Sequence, residues 1–294
     1  MPRKTPSVLR QAVLTFFGQS SGYVVAILTG ILVARTLGPA GKGIIAYASL
    51  LLAIFTTYGN GLQNAMMYQC GRNGEDQRLV YGAALRIIGA VMVPIGALLF
   101  TIGILVPSQA PLAYIACAIP FAVYGQVAMG IFFLENDIGA TIIQAAFNSF
   151  GFAVATVPAL LLWHAGIATV LGIWAAMYLA SALFAMIRLN RYLPAWDMLS
   201  TMATVREQAW FGLKAGSVSV ADFLNLRIDI FVVGIMLDAR SLGIYSLAVA
   251  TGEMMWQVSR PLTWTTIGRI ASGEREYSIG LVTKVARNTF AIEL

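Results

Sequence analysis

Eight apolar stretches, each long enough to cross a bilayer, limit what this chain can fold into. They fall near residues 14–33, 44–63, 85–106, 111–134, 138–163, 167–187, 216–237 and 242–261. A transmembrane helix needs about 20 largely apolar residues. These runs are too long, and alternate too little, to be barrel strands. Apolar residues make up 59% of the chain and charged residues 11%, against roughly half and a quarter in soluble domains. A soluble fold could not hide that much apolar surface. The expected fold is therefore an all-α, polytopic transmembrane bundle of eight spanning helices. The first stretch is longer than the core of a signal peptide and reads as a retained helix.

The net charge of +6 follows the spans. With the N-terminus cytoplasmic, the inner segments hold Arg72, Arg78, Arg188, Arg191, Arg206 and Lys214, with further Lys and Arg at both termini. The opposite loops hold only Arg35, Lys42 and Arg240. This bias is the positive-inside signal. It explains the basic charge without a nucleic-acid partner, and no aromatic-basic cluster points to one. The expected protein is multi-pass, with a cytoplasmic N-terminus.

Catalytic signatures are missing. Residues 38–43, Gly-Pro-Ala-Gly-Lys-Gly, lack the spacing and strand context of a phosphate loop. Cys70, Cys117 and His164 are too few and too scattered for a zinc site or a nucleophile–base pair. Glu135 and Asp137 read as solvated charges. The expectation is a non-enzyme with no cofactor and no metal.

The chain also repeats itself. At an offset of 200 residues, Val33, Leu37, Gly43, Ile44 and Ala48 fall on Val233, Leu237, Gly243, Ile244 and Ala248. In each copy an apolar helix ends at Leu, a short hairpin follows, and Gly-Ile opens the next helix. Internal repeats are common in transporter folds. The expected organisation is a six-helix lobe (residues 1–189), a cytoplasmic amphipathic linker lying on the membrane surface (190–212) and the start of a second lobe (213–294). On that reading the second lobe is incomplete and the sequence is a fragment of a longer two-lobed protein.

Polar groups inside spans mark cavities or helix contacts, because lipid tolerates them poorly. Asn60, Gln63 and Asn64 share a face of the second helix, and Gln144 and Asn148 a face of the fifth. Arg86 sits at the inner end of the third. The seventh carries Asp222, Asn225 and Asp229 on one face, with Arg227 pointing the opposite way. Arg227 therefore needs a partner elsewhere, either Glu253 on the eighth helix or a ligand anion. Interhelical ion pairing and a substrate or coupling-ion site both fit Asp222, Asp229 and Glu253. Pro94, Pro120 and Pro158 are expected to kink their helices.

Residues 31–43, Ile-Leu-Val-Ala-Arg-Thr-Leu-Gly-Pro-Ala-Gly-Lys-Gly, resemble the first hairpin of bacterial polysaccharide (O-antigen and exopolysaccharide) flippases. Those proteins belong to the multidrug/oligosaccharidyl-lipid/polysaccharide exporter superfamily. Residues 226–237 and 242–248 resemble the opening hairpin of that family's second lobe. The resemblance implies two six-helix lobes around a central cavity. It implies movement of a polyprenyl-diphosphate-linked oligosaccharide between leaflets, for making lipopolysaccharide or related polysaccharides. Polymerase or glycosyltransferase machinery would be the protein partners. Some relatives export drugs on sodium or proton gradients, and that is the alternative, ahead of a membrane enzyme of glycan assembly. For a flippase, Arg227 and Arg86 would meet phosphate, and Asn60, Gln63, Asn64, Gln144 and Asn148 would meet sugar.

Overall fold

The computed structural model describes residues 8–135, 137–193 and 200–253, with side chains from residue 21 onward. Among these residues there is no strand. Eight helical rods follow one another: α1 (Val8–Thr36), α2 (Gly38–Gly71), α3 (Gln77–Leu105), α4 (Pro111–Leu134), α5 (Ile138–Leu161), α6 (Ile167–Leu189), α7 (Met202–Met236) and α8 (Ala239–Glu253). Each contains one of the expected stretches, or its described part, to within two residues at the end. The continuation of the eighth stretch to residue 261, the rest of the expected second lobe and residues 194–199 of the expected linker lie outside the described residues. By length and hydropathy α2 to α6 qualify as membrane spans, and residues 21–36 form a shorter apolar helix. Large apolar side chains such as Leu98, Val154 and Ile187 cover the outside, as lipid-facing surface requires.

Short caps and wide turns set these rods. Gly38 takes φ +75° and Pro39 opens α2, so a Gly-Pro pair makes the tight α1–α2 hairpin. The α7–α8 hairpin uses Asp238 instead. Its carboxylate accepts a 2.8 Å hydrogen bond from the Ser241 amide, which holds it below the usual carboxylate range. In α3 a π-turn at Ile88–Met92 directly precedes the segment carrying Pro94. The wider turn absorbs the proline ring and its missing N–H. A second π-turn, Phe147–Gly151, interrupts α5 ahead of Pro158.

The core lies around α4, where Ile115, Ile119, Val127, Ile131 and Phe132 are fully buried. α2 is the common neighbour, packed on α4, α7 and α8. Two glycine crossings permit this. At one, a Cβ on Gly61 would lie 2.5 Å from the Gly212 carbonyl oxygen and 2.6 Å from Gly216. Gly212 and Gly216 form a Gly-x-x-x-Gly step, which lets backbones approach closely. At the other, a Cβ on Gly43 would overlap the Ala239 carbonyl oxygen, and one on Gly243 would overlap that of Pro39. Residue 239 is 39 plus 200, and 243 is 43 plus 200. The contact is therefore reciprocal under the sequence offset, as across a two-fold axis.

The polar stretch before the seventh span differs from expectation. Residues 202–214 do not form a separate surface helix but run straight into α7. That rod has 35 residues, about 50 Å at 1.5 Å per residue, against about 30 Å of hydrocarbon. Its first turns are held by α2: the buried Gln208 donates to the Leu62 carbonyl at 3.1 Å. Phe211 stacks on Tyr68 with centroids 5.5 Å apart. Arg72 lies 5.7 Å over Tyr68 and Lys214 4.7 Å over Trp210. Aromatic rings with cations of this kind suit a membrane interface.

Candidate functional site

The structure divides the expected site residues into three groups. Arg227 and Glu253 meet as a two-pronged ion pair, Nη1 to Oε1 at 2.8 Å and Nη2 to Oε2 at 2.9 Å. Both side chains are about 30% exposed. The pair joins α7 to α8 and saturates both charges. Asp229 accepts 2.7 Å from the Tyr245 hydroxyl on α8 through Oδ2. Its Oδ1 is buried with no hydrogen-bond partner among the described residues.

Gln63 and Gln144 form the second group and lie between helices. Gln144 donates to the Gly125 carbonyl of α4 at 2.8 Å, and its backbone carbonyl accepts from Ser181 of α6 at 3.5 Å. Gln63 is buried where α2 meets Gly130 of α4. Both side chains are buried at helix contacts, and Gln144 Oε1 has no hydrogen-bond partner among the described residues. Asn64, Arg86, Asn148 and Asp222 are the third group. They are exposed, Asn60 is half-buried, and no hydrogen bond among the described residues gathers them into one site.

Two residues behave differently from their sequence reading. Asp137 is not a solvated charge. It caps α5, accepting from the Ala140 amide at 3.2 Å, and also binds Arg188 Nε at 2.7 Å and the Tyr192 hydroxyl at 2.8 Å. Burial opposes its ionisation, but these hydrogen bonds outweigh burial and hold the carboxyl below its usual range. Lys42 is not a loop cation. It lies in the second turn of α2 and folds against α1, its Nζ 3.2 Å from where a Cβ on Gly30 would stand. There it lines a cavity of about 230 Å³ between α1, α2 and α8, with Tyr23, Ile27, Gly30, Ala250 and Glu253. No sequence spacing predicts that a hairpin lysine bends back onto a glycine. Among the described residues no cluster of His, Cys, Asp and Glu could hold a metal ion.

The sequence model for "Polysaccharide biosynthesis protein" matches residues 8–265. The chain belongs to that family. A search of curated proteins finds no match. Solved structures of similar fold include the eukaryotic MATE transporter AtDTX14 (TM-score 0.65, 13% identity, 98% of this chain and 70% of that one). A MATE protein in complex with Br-NRF is also similar (0.57, 16%, 90% and 71%), as is a MOP-superfamily transporter from Pyrococcus furiosus (0.55, 14%, 90% and 69%). At these identities the likeness establishes the fold. This polysaccharide biosynthesis family member is thus a multi-pass membrane protein with the MATE-like architecture of the MOP transporters.

Proposed function

We propose that the protein flips a polyprenyl-diphosphate-linked oligosaccharide from the inner to the outer leaflet during polysaccharide biosynthesis. The family match over residues 8–265 carries this reading, and the transporter fold supplies the machinery. A sugar diphosphate cannot cross hydrocarbon unaided, since burying its charge and hydroxyls is prohibitive. Two lobes that alternate access around a polar path solve that problem. The protein acts without enzymatic chemistry in the inner membrane, N-terminus cytoplasmic, and receives its cargo from glycan-assembly enzymes.

The test is transport in proteoliposomes. Lipid-linked oligosaccharide loaded in one leaflet should become accessible to a membrane-impermeant glycosidase on the other side. Accessibility no faster than in protein-free vesicles would refute the flippase reading. One observation favours the drug-exporter alternative: the buried Oδ1 of Asp229, without a hydrogen-bond partner among the described residues, could take a proton or coupling cation. Sodium- or proton-driven dye efflux, abolished by Asp229→Asn, would establish that alternative.

A further inference from the structure

The local two-fold relation between the hairpins has an asymmetry. At the 200-residue offset, Tyr23, Gly30, Lys42, Leu247 and Ala250 of the cavity wall correspond to Phe223, Ile230, Leu242, Tyr47 and Leu50. Those five counterparts belong to one packed apolar cluster, with Leu50, Ile230 and Leu242 buried at its centre. One side of the seam is thus plugged by three large side chains. On the other side, glycine and alanine replace two of them and a lysine replaces the third.

The hollow side is also charged. No carboxylate or hydrogen-bonding partner among the described residues reaches the Lys42 ammonium. Glu253, at the far end of the same cavity, is already spanned by Arg227. An ammonium with three donors and no acceptor, set in a membrane helix, is costly unless an anion joins it. Gly30 and Tyr23 are seven residues apart on α1, about 10 Å, so the slot runs from a cation to a carboxylate and a phenol. Its 230 Å³ is below the ~300–1,000 Å³ of pockets that enclose a whole drug-sized ligand.

We propose that the α1–α2–α8 cavity is a binding site for a phosphate-bearing headgroup fragment, held by Lys42, with an attached hydroxylated group reaching Glu253 and Tyr23. The site rests on the flippase reading only for the natural ligand. The same chemistry would also take free phosphate.

Binding to the purified full chain in nanodiscs tests it, with a polyprenyl phosphate, the matching uncharged polyprenol and inorganic phosphate as probes. The polyprenyl phosphate should bind, and Lys42→Met should weaken it about tenfold or more, as expected for a charged hydrogen bond. Lys42→Arg should retain binding. Gly30→Ile, which copies the plug of the other side, should abolish binding with the melting midpoint unchanged or raised. Inorganic phosphate binding equally well, with the same Lys42 dependence, supports the site and assigns it to free anions. Polyprenol binding as tightly as its phosphate overturns the proposal. Unchanged binding in both Lys42→Met and Gly30→Ile also overturns it. Should Lys42→Met fail to fold, Gly30→Ile decides alone. A wild-type protein that binds polyprenyl phosphate but moves no lipid-linked glycan removes the flippase reading and leaves the site standing.

Discussion

Asp137 ties three elements together through one carboxylate: the start of α5, the end of α6 and Tyr192 beyond it. Asp137→Asn should lower stability by about 1–3 kcal/mol, the range for hydrogen bonds to a charged group, read as a drop in melting temperature in detergent. The folded carboxyl titrates below its unfolded value. Its contribution is therefore complete above the unfolded value near 3.9 and fades as pH falls through the lower, folded value. The gap between wild type and Asp137→Asn should accordingly be constant from pH 7 to about 5 and close in stronger acid. The Arg227–Glu253 pair calls for a different experiment. Removing either partner leaves the other charge half-buried, so Arg227→Gln and Glu253→Gln should each destabilise by about 1–3 kcal/mol. The double variant should lose less than the sum. A strictly additive double variant would show that the pair does not fasten α7 to α8.

At the scale of elements, α2 is placed by glycines. Gly43→Val and Gly243→Val each put a side chain into the partner hairpin's carbonyl, where no side-chain rotation gives relief. Each should cost about 1–3 kcal/mol as overpacking, or else push the hairpins apart, which a disulfide-trapping or spin-label distance across residues 39 and 239 would register. Gly61→Leu should do the same at the α2–α7 crossing, where Gly212 and Gly216 lie opposite. The sequence carried one of these contacts openly, since Gly43 and Gly243 are among the residues matched at the 200-residue offset. It hid the other, because a Gly-x-x-x-Gly step names no partner. The continuity of residues 202–214 with α7 is hidden for a similar reason. The polar residues there look solvent-facing in one dimension, yet Gln208 is buried against Leu62. Whether a polar side chain meets water or a neighbour's carbonyl is decided by packing.

For the whole molecule, length and hydropathy were enough to read eight rods and an all-helical membrane fold, because lipid permits few alternatives. The site was less legible. Amide stripes on α2 and α5 look alike whether they line a cavity or bind adjacent helices, and for Gln63 and Gln144 they bind helices. For Arg227 the sequence left two partners open, Glu253 or a ligand anion, and the fold pairs it with Glu253. Lys42 resembled a loop charge because its reach to Gly30 exists only after folding. The molecule-scale prediction concerns orientation. A maleimide probe on an introduced cysteine at Asn73 should react from the cytoplasmic side only, and one at Arg240 from the opposite side only. The reverse pattern would invert the topology.

The hairpin seam has a further consequence for ancestry and assembly. Two identical subunits meeting at such a seam would carry the hollow and its lysine twice. A single chain whose halves diverge in sequence is under no such obligation. It can keep the reciprocal backbone contact of Gly43 with Gly243 as a fixed hinge line. One half can then be given over to solidity and the other to cargo.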